Sequence, residues 1–104
     1  MEFVQTIEYH TSKMDEIRQM AEEYQAKRAA SGEGPSPLRV SIVKDRDQEN
    51  VYITVVRFAS YEDAMANSER EDTSELAQRI AALCDGPATF RNLDVVMDGD
   101  PSAG

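Results

Sequence analysis

The chain has 104 residues, of which 40% are hydrophobic and 30% are charged, a balance that predicts one folded domain and excludes a disordered segment. Its formal net charge of −9 argues against nucleic acid or an anionic membrane surface as a partner, and the only adjacent basic pair, Lys27-Arg28, suits a helix end. Cys84 is the only cysteine, so no intrachain disulfide forms. Without a targeting signal or membrane span, we expect a cytoplasmic protein.

The first half of the sequence predicts a strand, a helix and a hairpin. Residues 2–10 are rich in β-branched and aromatic side chains, which favour a strand. Ser12 is expected to cap a helix that carries one apolar stripe. Two glycines and two prolines in residues 30–37 end that helix. The apolar runs 38–44 and 51–59 flank a polar turn and predict an antiparallel hairpin.

A second helical region is predicted after the hairpin, in two pieces. Ser60 stands three residues before Asp63, the spacing of a capping box, and should begin the region. The polar run 67–72 predicts a break. A second cap is expected at Thr73 or Ser74, followed by a new apolar stripe.

The last element is a strand over residues 88–97, which leaves 98–104 as a tail outside a domain of residues 1–97. The order strand, helix, strand, strand, helix, strand predicts an α+β, ferredoxin-like βαββαβ fold. Right-handed crossovers place both helical regions on one face of a four-stranded antiparallel sheet.

The opposite face of that sheet has no helix to cover it. The third predicted strand is apolar at both alternating sets of positions, so neither of its sides is suited to water. A second copy that packs sheet to sheet is the most economical cover. We therefore predict a homodimer joined through the sheet faces.

Two side chains are candidates for catalysis, each with a structural alternative. His10 ends the first strand and has an ordinary pKa near neutrality, which suits proton transfer as well as a surface role. Arg57 interrupts an apolar strand and offers a fork of donors for a substrate carboxylate or phenolate. The alternative for Arg57, and for Arg91, is an ion pair with Glu8 or Asp94.

Tyr52, Asn67 and Tyr61 are candidates for ligand binding, because polar side chains between sheet and helices can orient a small molecule. The alternative for each is a core or surface role. No metal site is predicted, since one histidine and one cysteine cannot form a usual zinc site and the acidic residues lack calcium-loop spacing. No glycine-rich phosphate motif indicates a nucleotide cofactor, and Cys84 is interpreted as a small core side chain.

Two passages resemble the antibiotic-biosynthesis-monooxygenase-like (ABM) domains of the dimeric α/β-barrel superfamily. One is Val51-Tyr-Ile-Thr-Val-Val-Arg-Phe-Ala-Ser-Tyr-Glu-Asp-Ala64, and the other is Leu83-Cys-Asp-Gly-Pro-Ala-Thr-Phe-Arg-Asn-Leu-Asp-Val95. The resemblance implies two subunits joined through their sheets into a barrel, each with a ligand cleft between sheet and helices. Some such domains oxygenate polycyclic phenols without a cofactor and others degrade haem.

The second helical region lacks the histidine with which haem-degrading relatives bind iron, and the chain has no tryptophan, so no cofactor is expected. The first functional hypothesis is thus a homodimer that binds a small, mostly apolar organic molecule and oxygenates it as a cofactor-independent monooxygenase, or isomerises it without a cofactor. The alternative is a non-catalytic dimeric binding or accessory domain.

Overall fold

A computed structural model describes residues 1–102 and contains a four-stranded antiparallel sheet in the order β2-β3-β1-β4 with three helices. The elements are β1 Phe3–His10, α1 Met14–Ser31, β2 Arg39–Lys44, β3 Val51–Phe58, α2 Tyr61–Ser68, α3 Glu71–Ala81 and β4 Thr89–Asp94. This arrangement confirms the predicted βαββαβ fold, with the second helical region divided into two helices.

The start of α1 is set by Thr11, whereas the sequence predicted Ser12. Lys13 occupies the cap position without a side-chain cap, and the backbone N–H of Lys13 donates to Thr11 Oγ1 at 3.0 Å. The Thr11 hydroxyl donates in turn to the Leu83 carbonyl at 2.7 Å. Because Thr11 is fully buried, a tertiary contact fixes this helix end, which a local capping rule does not foresee.

The start of α2 follows the sequence rule, whereas the start of α3 does not. Ser60 Oγ accepts a hydrogen bond from the Asp63 N–H at 3.1 Å, as predicted. Helix α3 begins at Glu71, ahead of the expected caps Thr73 and Ser74, and has no side-chain cap bond at its N-cap. A helix therefore restarts almost at once after α2 ends.

The pairing register divides the sheet into two sides. Phe3 lies opposite Phe58 and Asp94, and directly opposed residues of antiparallel strands share a side. One side carries the odd-numbered residues of β1 and the even-numbered residues of β2, β3 and β4. We call it the helix-facing side, because its residues Phe3 and Phe58 form the buried core with Ala64 of α2. The other side is called the open side.

The chain after β4 continues along the end of the sheet. Strand β4 ends at Asp94, three residues before the predicted limit, and the Val95 N–H donates to the Glu2 carbonyl at 3.0 Å. The tail predicted over 98–104 falls in part, at residues 103–104, outside the described residues. Among the helices that the structure describes, none is long and apolar enough to cross a membrane.

Candidate functional site

A cluster of hydroxyl groups lies on the helix-facing side, where β1 and β3 pair. The Tyr9 hydroxyl and Thr54 Oγ1 are hydrogen-bonded at 2.9 Å. The Tyr52 ring stacks beside Tyr9, with 6.4 Å between ring centroids and 24° between planes. Tyr9 is buried, while Tyr52 and Thr54 are half-buried. The cluster thus places donor groups at the edge of solvent-accessible space.

Two weak acids in this region remain protonated at neutral pH. Burial raises the pKa of the Tyr9 phenol, the bond from Thr54 opposes that rise, and nearby Cys84 and Tyr52 add to it. Burial also raises the pKa of the Cys84 thiol, with Asp85 as a second cause. Both groups are therefore neutral donors. Neither is a base or a thiolate nucleophile at neutral pH.

The helix-facing strip continues from the hydroxyl cluster toward β4. Ile7 precedes Tyr9 on the same side of β1, and beyond it the Gln5 side-chain amide donates to Asn92 Oδ1 at 3.2 Å. We call the strip formed by Gln5, Ile7, Tyr9, Thr54 and Asn92 the inner groove. It is an apolar centre with polar groups at both ends.

The helices leave the inner groove partly open. No residue of α3 is buried, although this helix has a clear apolar stripe that includes the half-buried Leu76 and Ile80. Ile7 and Thr54, on the side of the sheet that faces the helices, are half-buried as well. If side chains filled the space between the sheet and the helices, residues of both would be buried. The inner groove is therefore only partly covered by the helices.

A second polar cluster surrounds Arg28, which the sequence analysis interpreted as a helix-end cation. Only 7% of this residue is exposed. Its Nη1 donates to the Tyr24 hydroxyl at 2.7 Å and to Asn67 Oδ1 at 2.8 Å, and its Nη2 donates to the Pro35 carbonyl at 2.9 Å. Arg28 thus joins α1, α2 and the loop before β2. Nothing in the sequence around Arg28, at a polar helix end, indicates that its side chain is buried.

The structure does not bring the five predicted site residues together. Tyr52 is beside the inner groove. Asn67 is a hydrogen-bond partner of Arg28, and Tyr61 packs edge-on against Phe3 at 5.3 Å while half of it stays exposed. His10 is exposed on the open side. These side chains therefore occupy separate environments, and their direct contact with a ligand stays a prediction.

The arginines of the strands form ion pairs on the open side. Arg91 pairs with Glu8 at 3.7 Å, as the structural alternative predicted. Arg57 pairs with Glu2 and, at 2.9 Å, with Asp98, and not with the predicted Glu8 or Asp94. Since the register places Arg57 on the open side, neither Arg57 nor His10 lines the inner groove of its own subunit.

Two hollows open to solvent lie outside the inner groove. One, of about 470 Å³, is lined by Arg70, Glu71, Asp72 and Glu75. The other, of about 450 Å³, lies between α1 and α3 and has a mixed lining of Glu16, Gln19, Met20, Glu23, Arg79, Ala82 and Leu83. The charged wall of the first hollow suits water better than an apolar ligand. Over residues 1–102, no three His, Cys, Asp or Glu side chains are grouped to hold a metal ion.

Comparison with known proteins relates this fold to solved ABM structures. No protein-family model and no curated protein matches the sequence. SnoaB from Streptomyces nogalater, a cofactor-independent oxygenase, is 13% identical with a TM-score of 0.75; the match covers 93% of this chain and 95% of SnoaB. A Caulobacter crescentus protein, provisionally assigned as an antibiotic biosynthesis monooxygenase, is 16% identical with a TM-score of 0.76, over 92% of this chain and 91% of that one. The chain thus has the ferredoxin-like fold of ABM structures.

Proposed function

We propose that the chain acts as a homodimer whose inner groove binds a small, largely apolar organic molecule and promotes its oxygenation without a cofactor. The observation that carries the binding proposal is the Tyr9–Thr54 pair beside Tyr52, at one end of the partly covered inner groove whose centre is Ile7. Small-molecule sites commonly combine apolar walls with a few such oriented polar groups. The likeness in fold to the cofactor-independent oxygenase SnoaB supports the choice of reaction.

The surface of the chain supports the homodimer. Its accessible area is 7316 Å², whereas a compact monomer of 11.6 kDa exposes about 5,800 Å². Its radius of gyration of 14.4 Å also exceeds the value of about 13 Å for a compact domain of this length. The excess area, about 1,500 Å², exceeds the roughly 800 Å² that each partner buries in a standard interface. A second copy packed on the open side would bury part of this excess.

The open side carries apolar residues among its ion pairs. Val4, Ile53 and Val55 lie on it, with Val4 directly opposite Arg57 and Val55 opposite Thr6. Val43 and Leu93 extend this patch to the two edges and are exposed in the single chain. Exposed apolar residues grouped in this way support an interaction surface on the open side.

The groove chemistry favours a ligand with a phenol or carbonyl oxygen. Tyr9 and Thr54 can donate to such an oxygen, and the apolar centre at Ile7 can contact its ring system. Cofactor-independent oxygenation begins when a substrate anion donates an electron to O₂, so a substrate acidic enough to ionise in the groove is required. A polycyclic phenol or anthrone fits both demands.

One observation favours a second candidate, a binding protein without catalysis. The only histidine, His10, is on the open side, and the raised pKa of Tyr9 keeps its phenol protonated near neutrality. The inner groove therefore supplies donors and no base for proton abstraction. A dimer that binds the same ligands and leaves them unchanged accounts for this arrangement as well.

The test uses 1,8-dihydroxyanthrone, a tricyclic phenol, with the full chain. Binding is measured anaerobically by fluorescence, and O₂ uptake is then followed with an oxygen electrode. We expect saturable binding at one site per subunit, and one O₂ consumed for each anthrone converted to the anthraquinone with release of one water. Ile7→Trp should fill the groove and weaken binding at least about tenfold. Thr6→Val, next in the chain but on the open side, is the matched control.

The outcomes separate the candidates. Binding lost in Ile7→Trp, together with O₂ uptake above the protein-free rate, supports the oxygenase. Binding without uptake supports the binding protein. Binding that is equal in Ile7→Trp and Thr6→Val contradicts the placement of the site. A chain that sediments as a monomer at micromolar concentration contradicts the homodimer.

A further inference from the structure

Arg28 is a buried cation without a carboxylate partner. In residues 1–102 it is the only charged residue in the buried class, and a guanidinium stays protonated in proteins. Its three acceptors, the Tyr24 hydroxyl, the Asn67 amide oxygen and the Pro35 carbonyl, are all neutral. None of the ion pairs found in residues 1–102 includes Arg28. A buried charge is costly unless an opposite charge compensates it.

One donor of this guanidinium also lacks an acceptor. Arg28 Nε is buried and makes no hydrogen bond within the part of the chain that the structure describes. The other donors are held firmly, because the Tyr24 hydroxyl that accepts from Arg28 is itself bonded to Thr73 Oγ1 of α3 at 2.6 Å. Buried donors without acceptors are rare in folded proteins. An anionic ligand oxygen would satisfy Nε and compensate the charge together.

The acidic side chain whose charge Arg28 influences is already paired elsewhere. Both carboxylate oxygens of Asp72 accept from Arg70, at 3.0 and 3.1 Å. The bond from Arg70 is the main cause that lowers the pKa of Asp72, and the charge of Arg28 is the smallest cause. Glu33 also pairs with Arg70, at 3.5 Å. These carboxylates therefore compensate Arg70 and leave the charge of Arg28 for another anion.

Arg28 lies toward the end of the sheet at which β3 ends and β1 begins. It holds the Pro35 carbonyl, and Leu38, three residues further on, donates its N–H to the Arg57 carbonyl at 2.7 Å. Strand β1 starts beside the end of β3, and its third residue is Gln5. The Gln5 end of the inner groove is therefore the end nearer to Arg28, and the hydroxyl cluster is at the opposite end.

The length of the inner groove suits a ligand with a polar group at each end. Gln5 and Tyr9 are four positions apart on β1, which corresponds to about 13 Å along a strand. Fused aromatic rings with substituents at both ends cover such a span. A phenol or carbonyl oxygen suits the donors Tyr9 and Thr54, whereas an anionic group suits Arg28.

We propose that Arg28 binds the carboxylate of an aromatic ligand whose rings lie in the inner groove. This inference rests on the proposed groove site and adds the charge of its ligand. The chain has a net charge of −9, which repels anions at long range. A preference for an anionic ligand must therefore come from a local cation, and Arg28 is the buried one.

The first test needs no variant. The full chain is titrated at pH 7, by fluorescence, with anthracene-2-carboxylate and with anthracene-2-carboxamide, which share one ring system and differ in charge. We expect the carboxylate to bind at least about tenfold more tightly, because its bond to a buried guanidinium is charge-assisted.

The second test assigns this preference to Arg28. Arg28→Gln should reduce the preference for the carboxylate to less than about twofold, and Arg28→Lys should keep part of it because the positive charge remains. Lys27→Gln removes the same charge from an exposed neighbour on α1 and is the matched control, which should keep the full preference. A purely structural role of Arg28 would weaken both ligands by the same factor.

The third measurement follows the donor that lacks an acceptor. In the ¹H–¹⁵N spectrum of the wild type, the Arg28 Nε signal is assigned by its absence in Arg28→Lys. We expect it to shift on addition of the carboxylate and to shift less on addition of the carboxamide.

The outcomes separate this inference from the groove site on which it rests. A carboxylate preference that is lost in Arg28→Gln, with a shifted Nε signal, supports the inference. Equal binding of both ligands by the wild type overturns it while the groove site stands. A preference that persists in Arg28→Gln overturns the role of Arg28. If neither ligand binds, the inference fails, and the dihydroxyanthrone titration decides whether the groove site fails as well.

Discussion

The two sides of β3 show how one strand serves two different surfaces. On the helix-facing side, Val56 and Phe58 belong to or pack against the buried core, and Thr54 is bonded to Tyr9. On the open side, Ile53 and Val55 face no helix, although both are as apolar as Val56 on the helix-facing side. The chain's own helix α2 covers part of the first surface. Apolar composition at both sets of positions predicts that both sides of the strand are buried, and the proposed pairing of two copies would bury the second.

The sharpest test of this comparison places one charge on each side of β3. Val56→Asp should lower the free energy of unfolding by about 3 kcal/mol or more, since it buries a carboxylate in the core. Val55→Asp should leave most of the fold intact and raise the dimer Kd by about 100-fold or more. Urea denaturation and sedimentation equilibrium give the two readouts.

Val55→Thr is the control for shape on the open side and should change the dimer Kd far less than Val55→Asp. The comparison breaks if Val55→Asp unfolds the chain as readily as Val56→Asp does, or if it leaves the dimer unchanged. Unfolding of Val55→Asp would mean that both sides of β3 stabilise the fold. An unchanged dimer Kd would mean that the open side contributes neither to the fold nor to pairing.

An intermediate effect is expected at Arg28, which secures the helical layer above the sheet. Arg28→Ala leaves the Tyr24 hydroxyl, Asn67 and the Pro35 carbonyl without their donor. We expect a loss of about 2–3 kcal/mol in the free energy of unfolding by urea denaturation, with little change in the dimer Kd.

Arg18→Ala is the matched control for Arg28, because Arg18 is on the same helix, 67% exposed at its side chain, and pairs with Glu22 at 3.9 Å. Its cost should be below about 0.5 kcal/mol. Equal costs for the two variants would show that the buried hydrogen bonds of Arg28 contribute nothing beyond those of a surface arginine.

The smallest expected effect concerns the inner groove and pH. Tyr9→Phe removes the bond to Thr54 and should cost about 1 kcal/mol at pH 7. In the wild type the pKa of Tyr9 is raised by burial, so the folded state binds the phenol proton more tightly than the unfolded state does. Its contribution is complete below the ordinary tyrosine pKa of about 10 and is lost as pH rises through the folded value.

The stability difference between wild type and Tyr9→Phe should therefore shrink above pH 10, measured as the urea midpoint across that range. Tyr61→Phe, on a half-exposed ring, is the control for loss of a phenol hydroxyl elsewhere in the chain. A difference that grows with pH would mean that Tyr9 ionises more readily in the folded chain, contrary to its burial.

Much of the site could not be foreseen from the sequence, for identifiable reasons. Arg57 and Tyr52 are both predicted site residues on one strand, but they differ in parity and so point to opposite sides. Gln5 and Asn92 are 87 positions apart along the chain and meet only through the pairing of β1 with β4. Tyr9 and Thr54 likewise meet only through the pairing of β1 with β3.

The amino-acid sequence by itself determined the order of strands and helices, the Ser60 cap and the existence of a second apolar sheet surface, because these depend on local periodicity and on composition. Only the tertiary structure decided which side each residue faces, that Thr11 rather than Ser12 fixes the start of α1, and that Arg28 is buried. The physical reason is that a side chain's partners are set by strand register and helix packing. Both are cooperative properties of the whole chain, and no short segment contains them.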